Sequence, residues 1–280
     1  SNSSASVGLS MGSFFGLAFA LTGWLAPIIE AEGGPRLVFA AHGLLMAALL
    51  VLTLVLLPRS LGAPVRGERL TWQRFGTEHL ESYRNMRSLL PGTVFVWHTL
   101  MYTSLVTFIP LFGSPEALGM LLIWMPLLSI LGTLSAGFVI RVLPRPALVA
   151  SAGYAMVAVL TIAVWLAISG DVDIVAIALV LMFFSGLIQG AAFSLIPALS
   201  TDPAINARAN GTITQLGNLG NLLGSPLFAA ALAGTMFGTF GTVALLVVVL
   251  CVGGLVMCAV TLRWMRRHGV RPTPQTAHTP

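Results

Sequence analysis

ALGMLLIWMPLLSILGTLSAGFVI-RVLPRP-ALVASAGYAMVAVLTIAVWLAIS, residues 117 to 169, is two apolar runs around a short break. Neither run, 117–140 or 147–169, contains an Asp, Glu, Lys or Arg. Each exceeds the roughly 20 residues that carry an α-helix through hydrocarbon about 30 Å thick. The break holds Arg141, Pro144, Arg145 and Pro146, which end one helix, start the next and place cations at a polar boundary. The segment reads as a transmembrane helical hairpin.

Working outward, the same pattern predicts helices at about 8–29, 37–57 and 89–112 before it, and at about 174–199, 209–234 and 237–262 after it. With the hairpin that makes eight spans. Turn chemistry separates them, as in Glu-Gly-Gly-Pro at Glu32 to Pro35 and Ser-Thr-Asp-Pro at Ser200 to Pro203. Charged residues make up 8% of the chain, against about 25% in an ordinary soluble domain, too few to build a soluble surface. The fold class expected is an all-α, polytopic membrane bundle, with the lipid bilayer as its solvent.

The net charge of +5 does not mark a nucleic-acid binder, because the basic residues follow the topology. Every basic residue is Arg, and with Ser1 inside, thirteen of the fourteen fall on the cytoplasmic side, leaving Arg36 outside. Both termini are therefore expected in the cytoplasm and the protein in the cell (plasma) membrane. Cys251 and Cys258 lie seven apart in one apolar run and read as packing thiols.

The longest polar stretch, 59–88, divides two helices (1–58) from six (89–265), and 266–280 forms a polar tail. Within the stretch Trp72, Phe75, Leu80 and Tyr83 recur near helical spacing among Arg and Glu, as in an amphipathic helix lying on the inner leaflet.

Six helices after a basic cytoplasmic loop resemble the major facilitator superfamily of secondary transporters. Two helices before the loop make the chain similar to helices five to twelve of a twelve-helix member, with the first four missing. Gly137-Phe138-Val139-Ile140-Arg141-Val142-Leu143-Pro144-Arg145 occupies a turn where the family repeats a Gly, an acidic-basic pair and further basic residues. This chain keeps Gly137, Arg141 and Arg145 and lacks the acid, so the two arginines are either gate residues or topology anchors. Gly12-Ser13-Phe14-Phe15-Gly16 also resembles Gly220-Asn221-Leu222-Leu223-Gly224, as halves related by duplication would. Gly16-Leu17 stands where proton-linked drug exporters of the family often have Gly-Pro. The resemblance implies transport of a small solute by alternating access. The sequence has no Gly-rich phosphate loop or zinc-ligand spacing, so no enzymatic activity, cofactor or metal is expected.

Glycines four apart, Gly8, Gly12 and Gly16 on the first helix and Gly186 and Gly190 on the sixth, are expected to be helix-packing seams. The eight runs contain no Asp, Glu, Lys or Arg away from their ends; among ionisable polar groups His42 and His98 remain. His98 sits mid-helix with Tyr102 one turn on and Thr99, Thr103 and Thr107 beside it. It reads either as a solute or proton-coupling site or as an interhelical hydrogen bond. Thr214, Gln215, Asn218, Asn221 and Ser225 form a polar stripe about a third of a helix wide, and Gln189 stands between Gly186 and Gly190. The candidate solute contacts are thus His98, Tyr102, Thr103, Gln189, Gln215, Asn218 and Asn221. Phe183, Phe184 and Trp124 are alternatives for packing or for an aromatic wall. A membrane enzyme acting on a lipid-linked substrate, or a sensor or scaffold, are the competing functions. Glu30 with Glu32 and Asp171 with Asp173 lack a nearby His or Cys in sequence and read as solvated helix ends.

Overall fold

Capping chemistry sets the starts of α4 and α7, and several helix termini run past the apolar runs that predicted them. The computed structural model describes residues 3–56, 71–233 and 238–270; the first part of the linker and most of the polar tail lie outside the described residues. Eight α-helices follow in chain order: α1 Ser3–Leu56, α2 Trp72–Arg84, α3 Met86–Phe108, α4 Pro115–Val142, α5 Pro146–Ser169, α6 Val175–Leu199, α7 Pro203–Ala233 and α8 Gly238–Arg267. No strand occurs among the described residues. Ser114 accepts a hydrogen bond from the Ala117 amide at the start of α4, and Asp202 accepts one from the Ala204 amide at the start of α7. α7 begins six residues before its apolar run because the helix obeys its cap and backbone ladder, not hydropathy. α8 likewise continues to Arg267, placing Arg266 and Arg267 in its last turn, where cations favour the helix dipole.

Seven of these elements are long and apolar enough to cross a membrane. The eight spans expected are matched because the first two are joined in α1. At 54 residues, α1 as one straight helix would be about 80 Å long, far beyond a bilayer. It is interrupted at Gly33 (φ −148°, ψ 16°) and Gly34 (φ 67°, ψ −173°). The Gly34 conformation is essentially restricted to glycine, so the expected turn at Glu32 to Pro35 exists as a sharp break without a separate loop. Gly34→Val should cost about 1–3 kcal/mol of strain, read as a lower thermal unfolding midpoint in detergent.

α3 and α7 run parallel with almost no space between them. A Cβ on Gly220 would strike the Thr99 hydroxyl and come within 2.9 Å of the Val96 carbonyl oxygen, and one on Gly224 would strike the Leu100 carbonyl oxygen. α4 and α6 form a second parallel pair, with Gly132 against the Phe183 carbonyl, Gly186 against that of Ser129, and Gly190 against that of Thr133. Lipid offers little hydrophobic drive for helices to associate, so backbone contact at small residues supplies the packing. Gly186, Gly190, Gly220 and Gly224 all lie at such contacts. The surroundings of Gly12 and Gly16 lie outside the described residues. α8 closes the bundle, with Gly254 over the ring of Tyr154, whose hydroxyl donates to the Val94 carbonyl at 2.6 Å. α1 rests on α4 and α6, Gly23 meeting the Leu122 carbonyl oxygen. Cys251 and Cys258 are buried free thiols, and Cys251 packs on Met101 at 3.9 Å.

α2 is the amphipathic helix the linker pattern predicts, with Trp72 and Leu80 exposed. Its contacts with α7 include the Tyr83 hydroxyl donating to the Gln215 amide oxygen at 2.6 Å and Arg208 paired with Glu81 at 3.4 Å. Both are exposed, so each contributes no more than about 1 kcal/mol. Combining Tyr83→Phe with Arg208→Ala should speed amide hydrogen exchange across Trp72–Arg84 about tenfold and leave α3 unchanged.

Candidate functional site

At 100° per residue, Phe95, His98, Thr99 and Tyr102 occupy about 100° of α3, and Thr214, Asn218, Asn221 and Ser225 about 60° of α7. The glycine face of α7 lies next to its polar stripe. Packing Gly217, Gly220 and Gly224 onto α3 therefore brings the two functional faces side by side. α6 closes the arrangement with Gln189 and Phe193, held in place by the Gly186 and Gly190 seam against α4.

The result is a cavity of about 50 Å³ lined by Phe95, His98, Thr99 and Tyr102 from α3, by Gln189 and Phe193 from α6, and by Thr214, Gly217, Asn218 and Asn221 from α7. That enclosed volume holds a few waters. Thr214 and Asn218 are exposed, so the cavity opens on the α7 side.

His98 is 1% exposed. Its Nε2 lies 3.0 Å from the Ser185 hydroxyl on α6, and its Nδ1 has no partner among the described residues. The Phe95 and His98 rings stack at 5.5 Å and 24°, the Tyr102 ring is 5.3 Å further along, and Phe193 meets Phe95 edge-on at 5.2 Å. Thr103 donates to the Asn221 amide oxygen at 3.1 Å, which ties α3 to α7 at the edge of the cavity. Thr99 and Thr107 satisfy their hydroxyls on the α3 backbone.

Of the seven solute contacts expected, His98, Tyr102, Gln189, Asn218 and Asn221 line the cavity, and Thr103 supports Asn221. Gln215 stands apart, 60° beyond the stripe and bonded to Tyr83 of α2. His42 is exposed on α1. Phe183 and Phe184 meet edge to face at 5.5 Å and Trp124 is half exposed; none of the three lines the cavity. Phe95 and Phe193 form the aromatic wall instead. Their signal in the sequence is spacing alone: Phe95 is three residues before His98 and Phe193 four after Gln189.

Arg141 lies in the last turn of α4 and Arg145 immediately precedes α5. Both are exposed, and Gly137 is half-buried one turn before Arg141.

A family model described as Major Facilitator Superfamily matches residues 5–225. The chain belongs to that superfamily of membrane transporters, and is a multi-pass membrane protein. Comparison with curated proteins found no match, and neither did comparison with solved structures.

Proposed function

We propose that the protein carries a small solute across the membrane by alternating access, with the cavity between α3, α6 and α7 as the solute site. The observation that carries this reading is the exposed polar stripe of α7, running into a cavity that holds a buried His98. Thr214, Asn218 and Ser225 are exposed on a helix apolar enough to span a bilayer. Side chains of this kind in hydrocarbon require polar partners or water, so this face of α7 meets a wet pathway.

In this reading, residues 89–265 form one rocking unit and residues 1–58 the end of the other. The linker 59–88 joins them, and 266–280 is a tail. Further helices of the same protein complete the first unit, as in twelve-helix members. The glycine contacts along α3–α7 and α4–α6 keep the moving unit rigid. Gly137, Arg141 and Arg145 lie at the gate end of the hairpin. The Arg distribution supports a plasma-membrane orientation with both termini in the cytoplasm.

The test is counterflow in vesicles containing the intact protein, with a panel of labelled small solutes. Saturable uptake that rises when unlabelled solute is loaded inside supports the reading. Turnover of a lipid-linked substrate without solute movement would overturn it.

A further inference from the structure

We infer that the cavity takes an uncharged solute, one that inserts a hydrogen-bonding amide, hydroxyl or carbonyl group on an apolar body; this rests on the solute site proposed above. The charge inventory comes first. No Asp, Glu, Lys or Arg is among the described residues that line the cavity. Arg208 lies near the start of α7 and is paired with Glu81, and Glu116 lies in the first turn of α4. A carboxylate or ammonium entering between α3, α6 and α7 would therefore find no counter-charge among the described residues that line the cavity, and burying a lone ion costs several kcal/mol.

What the cavity does offer is neutral hydrogen bonding. Gln189 and Asn218 each carry a carbonyl acceptor and two N–H donors. His98 has its Nε2 engaged by Ser185 and its Nδ1 buried without a partner among the described residues, a costly state. The Ser185 hydroxyl can either give a proton to Nε2 or accept one from it. Nδ1 is a donor in the first case and an acceptor in the second. The pair thus lets Nδ1 take either role toward a solute group that reaches it. Phe95 and Phe193 supply flat apolar walls beside these groups. The enclosed volume of about 50 Å³ admits a functional group of the solute, with the rest of the solute lying in the open side toward α7.

Benzamide, benzoate and benzamidinium share one shape and differ in charge, so they probe the inference directly. Their binding to the intact protein in lipid nanodiscs is compared by saturation-transfer NMR, for wild type, His98→Phe and Asn218→Leu. Asn218 is exposed, so its variant keeps the test valid should His98→Phe fold poorly. Benzamide is expected to bind at least about tenfold more tightly than either ion, and to weaken about tenfold in each folded variant. Benzoate or benzamidinium binding as tightly as benzamide, and weakened by the same variants, would overturn the uncharged class while leaving the solute site standing. Benzamide binding that neither variant changes would overturn the site as well.

Discussion

Asn218→Leu is expected to lower solute transport by about 10- to 100-fold, with membrane insertion unchanged. The exposed Asn218 amide lines the cavity. Its loss leaves a solute donor or acceptor unpaired once the bound solute has displaced water there, at a cost of about 1–3 kcal/mol, roughly that range in affinity. Because the position is exposed, the folded bundle tolerates the change. Initial uptake rates set against the amount of protein in the membrane give the measurement, and a normal rate would remove Asn218 from the site.

Gly186→Leu should be the most damaging change to the fold. A Cβ there would collide with the Ser129 carbonyl oxygen and come within 2.9 Å of the Ser129 Cα. Both are backbone atoms of α4, so no side-chain rotation relieves the clash and the two helices must part. Separation also breaks the approach of the Thr133 hydroxyl to the Gly186 carbonyl, 3.1 Å apart. The expected cost is about 3 kcal/mol or more, the upper end of overpacking penalties. It is read as a lower unfolding temperature and a loss of monodisperse protein in detergent. Gly211→Ala is the contrasting case, since a Cβ there meets nothing within 4 Å. It should stabilise α7 by up to about 1 kcal/mol through helix propensity. Equal effects of the two substitutions would show that the α4–α6 seam does not hold the bundle.

The spanning helices were legible in the sequence because hydrocarbon imposes a length and a composition that no turn-rich or charged segment imitates. The polar stripe of α7 was legible for a related reason: amides in a greasy helix are few and their angular positions follow from their spacing. Gln215 shows where that reasoning stops. It fell inside a stripe drawn a third of a turn wide, and its separation from the cavity depends on Tyr83, 132 residues away in the chain. Phe95 and Phe193 escaped notice because an aromatic ring one turn from a polar residue looks the same whether it packs against lipid, core or cavity. The seams were visible as glycines four apart, but which backbone each one meets, such as Gly186 on Ser129, is a tertiary fact. The break in α1 was expected as a turn; that helix resumes at once on either side follows from the backbone freedom of Gly34.

Alternating access requires the cavity to be a wet site that opens to each side of the membrane in turn. Asn218→Cys in the intact protein, with Cys251 and Cys258 replaced by Ala, allows that to be measured without knowing the solute. A membrane-impermeant thiol reagent is applied to sealed vesicles from one face or the other, with Leu223→Cys, exposed on the side of α7 away from the polar stripe, as the comparison. The prediction is labelling of the Asn218→Cys thiol from both faces and of the Leu223→Cys thiol from neither. Labelling at position 218 from one face alone, or from neither, would contradict alternating access through this cavity.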